Sequence, residues 1–177
     1  EMIISASRRT DIPSYYSEWL VNRLKEKYVL VRNPMNIHQV SKIDLSPDVV
    51  DAIVFWTKNP TPMLSYLDQI NDYTYYFQFT LSAYGPDVER NLPSKNKIII
   101  PTFQQLSKEI GKEKVIWRYD PIFFNEQYSI EYHCKYFEVL ASKLGDYTEK
   151  CTVSFMELVM ETLYVSPSIC RCNAAFG

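Results

Sequence analysis

Three short strings concentrate the side chains best able to bind anions and move protons: Arg8-Arg9-Thr10-Asp11, Thr57-Lys58-Asn59 and Arg118-Tyr119-Asp120. Arginine and lysine bring N–H donors and positive charge suited to carboxylates and phosphates. Asp11 and Asp120 bring carboxylates that orient such cations or accept a proton. Lys58 beside a carboxylate serves proton transfer when burial lowers its pKa. Gln78 and Thr80 close another apolar run, and Ser154 sits in a last one. On this reading Arg8, Arg9, Thr10, Thr57, Asn59, Gln78, Arg118 and Tyr119 contact a ligand, while Asp11, Lys58 and Asp120 are the catalytic candidates. A plainer reading stands beside it. Arg–Asp pairs also staple strand ends, because buried charges are usually paired. Asp11-Ile12-Pro13 and Asp120-Pro121 equally suit caps and turns.

Other residues point away from chemistry. His38 lies in an alternating, half-exposed segment with no partner at ligand spacing. His133 and Cys134 are helical neighbours and face different sides. Cys151 opens an apolar strand and reads as core. Cys170-Arg171-Cys172 is the one close cysteine pair, and a zinc or iron–sulfur site needs three or four ligands. No metal site is expected in this chain. Trp56, Phe77, Phe79 and Trp117 read as core. No glycine-rich phosphate loop and no Ser-His-Asp or Cys-His arrangement is present.

The elements that must position the three strings alternate in type. Met2 to Ala6 reads as a strand, followed by a helix from Pro13 with Tyr15, Trp19, Leu20 and Leu24 at helical spacing. Residues 28–45 read as a hairpin-like insert. Ala52 to Trp56 is a continuous apolar run, as in a strand covered on both faces. A helix from Thr61 to Ile70, a strand from Tyr75 to Leu81 and a loop with Tyr84, Gly85, Pro86 and Pro93 come next. A helix from Thr102 to Ile110 ends at Gly111, a C-terminal cap. Then follow a strand from Val115 to Tyr119, a helix from Ser129 to Leu144 and a strand from Cys151 to Phe155. This β–α–β–α order implies parallel strands joined by helical crossovers. Ligands then meet the C-terminal strand ends, where the three strings lie.

The chain has 177 residues, 46% hydrophobic and 23% charged, which fits one globular domain. A closed eight-stranded barrel takes about 250 residues, so an open α/β sheet or an incomplete barrel is expected. The formal net charge of -2 disfavours a broad nucleic-acid surface and allows a local basic pocket. No apolar run approaches the ~20 residues of a membrane span. No signal peptide is in view. Four cysteines without a secreted framework suggest a reduced, cytoplasmic protein.

The strings ISASRRTDIP, YVLVRNP, VFWTKNP, YYFQFTL, VIWRYDPI and YTEKCTVSF together resemble a bacterial and archaeal family, domain of unknown function 1848. The similarity runs from Met2 to Phe155. It implies a partial TIM-barrel-like (β/α) fold and no known reaction. Longer members carry a C-terminal cysteine cluster similar to the iron–sulfur motif of radical S-adenosylmethionine enzymes. In those relatives the resemblance implies a 4Fe-4S cluster and S-adenosylmethionine. After Phe155 the likeness ends and the cluster is absent. The expectation is therefore a partial barrel over residues 1–156, with mainly parallel strands and a β-hairpin insert, and a divergent tail over residues 157–177. The chain then reads as a truncated product or a fragment of a longer gene.

Two functions follow as expectations. One is a fragment of a radical-SAM-like iron–sulfur enzyme with an anion-binding site at the strand mouth. The other is a non-catalytic module that holds a phosphorylated ligand, a nucleotide or a single nucleic-acid strand. A chain without function that folds marginally is a third. The sequence names no substrate and no oligomeric state.

Overall fold

A computed structural model describes residues 2–7 and 10–156. Arg8, Arg9, Cys170, Cys172 and the tail expected over residues 157–177 lie outside the described residues. Strands β1 (Met2–Ala6), β4 (Val50–Thr57), β5 (Tyr75–Thr80), β6 (Val115–Ile122) and β7 (Cys151–Phe155) form a five-stranded sheet in the order β1-β4-β5-β6-β7. Every pair in it is parallel. Strands β2 (Tyr28–Arg32) and β3 (Val40–Asp44) form a separate antiparallel hairpin, the insert expected from sequence.

Each crossover steps one strand in the same direction. Right-handed connections of that kind place the helices on one face of the sheet. These helices are α1 (Ile12–Tyr15), α2 (Ser17–Glu26), α3 (Thr61–Leu64), α4 (Ile100–Ile110) and α5 (Ile130–Leu144). Between helices and sheet lies a core rich in aromatic rings. Phe55 stacks on Phe77 with centroids 4.7 Å apart, Phe79 meets Phe103 at 5.0 Å and Trp117 stacks on Phe137 at 5.0 Å. Phe55, Phe77, Phe79 and Phe103 are fully buried. Burying each such ring contributes about 1.5–3 kcal/mol.

The other face has no helical layer among the described residues. Strand alternation sends Ile3, Trp56, Gln78, Thr80, Arg118 and Ser154 there. Ile3 is 70% exposed and Trp56 is 36% exposed. Trp56 is therefore not the core residue its apolar neighbours suggest. This is the face that a closed barrel would turn inward, and the described strands leave it open.

Local departures from the sequence reading have simple causes. The helix expected from Pro13 is two pieces, because Tyr16 leaves helical geometry between α1 and α2. The helix expected over 61–70 is α3 followed by a 3-10 turn, Leu67–Ile70. Strand β6 continues past Tyr119 through Asp120-Pro121 to Ile122. Proline tolerates that place because the ladder to β7 shifts register between Tyr119 and Ile122. Gly111 caps α4 at φ 94°, a conformation that favours glycine.

Candidate functional site

The C-terminal ends of β1 and β4 are tied together by Asp11. Its Oδ1 accepts the Ser14 amide N–H at 3.0 Å and so caps α1. Its Oδ2 accepts the Thr57 hydroxyl at 3.0 Å and the Lys58 amide N–H at 2.8 Å. Ser14 Oγ donates to the Asn59 carbonyl at 2.8 Å. Asn59 Oδ1 in turn accepts the Thr61 hydroxyl at 2.6 Å. Asp11, Thr57 and Asn59 thus hold the turn from which Lys58 projects. Thr10 is exposed in the bend just before Asp11.

Lys58 meets a partner from the loop after β5. Its Nζ lies 2.6 Å from Glu89 Oε1, and Lys95 Nζ lies 2.5 Å from Glu89 Oε2. Ser82 Oγ donates to the same Oε2 at 3.1 Å. The Glu89 side chain is 5% exposed, that of Lys95 22% and that of Lys58 49%. Lys95 also donates to the carbonyls of Ser82 at 2.8 Å and Tyr84 at 2.5 Å. Burial pushes the Glu89 carboxyl up, but hydrogen bonds from both lysines outweigh it and hold it below the ordinary value. Burial lowers the Lys95 ammonium, and Glu89 pulls it back only in part. The more buried lysine of this site is therefore Lys95, which the sequence reading did not single out. Asp11, Ser14, Lys58, Asn59, Glu89 and Arg90 line a cleft of about 290 Å³.

A second cluster stands on the open face. Arg118 Nε donates to Asp120 Oδ1 at 3.0 Å, and Nη2 pairs with Asp120 Oδ2. Nη1 donates to Gln78 Oε1 at 3.2 Å. Ser154 Oγ reaches Asp120 Oδ2 at 3.4 Å. The Arg118 guanidinium carbon sits 4.5 Å from the centroid of the Trp56 ring, a cation–π stack. Tyr119, between Arg118 and Asp120 in sequence, faces the helices instead. It is buried, and its hydroxyl lies 2.9 Å from His133 Nδ1. His133 Nε2 lies 3.1 Å from the Phe123 carbonyl. A carbonyl only accepts, so in the neutral ring Nε2 carries the proton and Nδ1 accepts from Tyr119. Burial raises the Tyr119 phenol far above its ordinary value.

The two clusters are linked through the loop that carries Glu89. Tyr84 Oη donates to the Pro121 carbonyl at 2.8 Å and accepts the Phe123 amide N–H at 2.9 Å. Tyr128 Oη donates to Asp87 at 2.7 Å and accepts the Gly85 amide N–H at 3.1 Å. Stacking of Tyr84 on Phe123, at 4.5 Å and 7°, fastens the same two loops. Such a clamp needs no catalysis to explain it, since among the described residues each buried side-chain polar atom finds a partner.

The family assignment follows from the same segments. A family model described as domain of unknown function (DUF1848) matches residues 3–166. The chain belongs to the DUF1848 family. The match takes in the five parallel strands of this DUF1848 domain, all but Met2 of the first, and both clusters, and it reaches past the boundary expected at residue 156. Comparison with the curated proteins and with the solved structures finds no match.

Other hollows in the DUF1848 domain carry less chemistry. A cleft of about 350 Å³ between β1, α2 and the hairpin is lined almost wholly by apolar side chains. A hollow of about 700 Å³ at the opposite end of the strands holds Lys112 and Glu149, which pair at 3.4 Å with both side chains more than half exposed. Among the described residues, no group of three His, Cys, Asp or Glu side chains is placed to hold a metal ion. No helix among them is long and apolar enough to cross a membrane.

Proposed function

We propose that this DUF1848 chain binds a small anionic ligand at the C-terminal edge of its parallel sheet, with Lys58 meeting the anion. The carrying observation is the carboxylate of Glu89 shared between two lysines. One negative and two positive charges leave the trio with a net positive charge. Lys95 has its donors engaged by Glu89, Ser82 and Tyr84. Lys58 is the half-exposed member, and donors beyond the one on Glu89 face the cleft. The second cation, Arg118, is neutralised by Asp120 and serves hydrogen bonding more than charge.

Binding is better supported than catalysis. The carboxylates of Asp11 and Asp120 already accept from neighbouring groups, as positioning groups do. The iron–sulfur cluster that the resemblance implies for longer relatives finds no ligand set among the described residues. The net charge of -2 favours a pocket-sized ligand over an extended nucleic acid.

Isothermal titration of the full chain with inorganic phosphate and pyrophosphate tests this. Saturable binding is expected, weakened at least about tenfold in Lys58→Met, as for loss of a charge-assisted contact. Far-UV circular dichroism of the variant should be unchanged. Absence of saturable binding to either anion, or equal affinity in Lys58→Met, would overturn the reading.

A further inference from the structure

The two clusters lie in one row of the sheet. Thr57 pairs with Phe79, so Lys58 lies one step on, level with Thr80. Thr80 pairs with Arg118, and Arg118 with Thr152. Lys58, Thr80 and Arg118 therefore cross three neighbouring strands at one level. Two strand spacings put the backbones of Lys58 and Arg118 about 10 Å apart. Trp56 lies on β4 two residues before Lys58, which stands in the bend just after the strand.

The Arg118 end of this row presents a planar cation and hydrogen-bond donors. The Arg118 guanidinium lies over the Trp56 ring and is held there by Asp120 and Gln78. Three of its N–H groups are engaged by these partners. A guanidinium has five N–H groups in all, so others remain. The Gln78 carbonyl faces Arg118, which leaves the Gln78 amide NH2 as a donor. A planar cation fixed on an aromatic ring is a platform for another flat group. The Arg118–Asp120 pair carries no net charge, so this half of the surface suits a neutral group bearing acceptors.

We infer that the ligand of this edge joins an acidic group, met by Lys58, to a flat acceptor-bearing ring that lies against the Arg118–Trp56 pair. The inference rests on the anion-binding reading above and adds the ring. Phosphorylated or carboxylated heteroaromatic compounds form the class, as free small molecules.

The test compares inorganic phosphate, ribose 5-phosphate, adenosine monophosphate and uridine monophosphate by isothermal titration of the full chain. Both nucleotides should bind about tenfold or more tighter than ribose 5-phosphate, the scale of one ring stacked on an aromatic side chain. Trp56→Leu should remove that advantage and leave ribose 5-phosphate unaffected. Arg118→Lys, which keeps the charge and loses the plane, should do the same. Lys58→Met should weaken all the phosphates. If phosphate and ribose 5-phosphate bind and the nucleotides bind no tighter, the ring inference fails while the anion reading stands. If no phosphate binds, both fail. A tetranucleotide that binds tighter than either mononucleotide would overturn the free small-molecule class.

Discussion

The carboxylate of Asp11 accepts the backbone N–H of Lys58 at 2.8 Å, across 46 intervening residues, and so joins the end of the first strand to the end of the fourth. The same side chain caps α1 and accepts from Thr57. One carboxylate thereby sets the turn that aims Lys58 into the cleft.

Asp11→Asn keeps the shape and loses acceptor capacity, since an amide nitrogen meets donors it cannot accept from. We expect a loss of about 2 kcal/mol in stability, the scale of hydrogen bonds to a charged group. Urea unfolding should show a lower midpoint with an unchanged slope. Phosphate affinity should fall with it, because Lys58 is no longer held. Wild-type stability in this variant would show that Asp11 does not fasten the strand ends.

Glu89→Gln should destabilise the protein by about 3 kcal/mol at neutral pH, as when a buried ion pair loses one partner. The pH dependence has a definite sign. The folded carboxyl is held below its ordinary value of 4.5 because the two lysines outweigh burial. Its stabilising contribution is therefore fully present above that value and is lost as pH falls through the lower, folded value. The stability gap between wild type and Glu89→Gln should stay level from neutral pH to about pH 5 and shrink below pH 4.5. Urea titrations at a series of pH values measure it. A gap that persists undiminished in acid would refute the assignment.

The two cysteines among the described residues should differ in reactivity. Cys134 is exposed. Burial pushes the Cys151 thiol up to about 12, against a smaller opposing pull from the Tyr119 backbone N–H. The thiolate is the nucleophile, so Cys151 is inert at pH 8. Brief iodoacetamide treatment followed by peptide mass spectrometry should find Cys134 modified and Cys151 intact, with Cys151 modified only in denaturant. Equal labelling of both in the native protein would contradict the placement of Cys151.

Much of the strand framework was legible. The apolar runs around Phe55, Phe77 and Trp117 are strands, and residues 28–45 do form a hairpin insert. Helix continuity was not legible, because the helical spacing of apolar residues runs on through the breaks at Tyr16 and after Leu64. The neighbours Arg118, Tyr119 and Asp120 looked like one cluster in sequence. Strand alternation separates them, with Tyr119 in the aromatic core and the ion pair on the open face. Trp56 sits in an apolar run, yet the same alternation turns it outward. Glu89 lies in a loop without a motif, and Lys95 opens the helical stretch Lys95–Ile99 that runs into α4. Their one signal was position, since polar residues after a parallel strand stand where ligands meet the sheet.

What the sequence determined by itself is the set of elements and the edge at which they end. Apolar runs of strand length and amphipathic stretches of helix length depend on neighbours a few residues apart, and those spacings are visible in a string. Tertiary structure decided which charges meet. Lys58 finds Glu89 31 residues away and Arg118 finds Gln78 40 residues away, because parallel pairing of β4, β5 and β6 brings their ends to one level. Coulomb attraction and hydrogen bonding act over a few ångströms of space whatever the separation along the chain, so only the register of the sheet could select those partners.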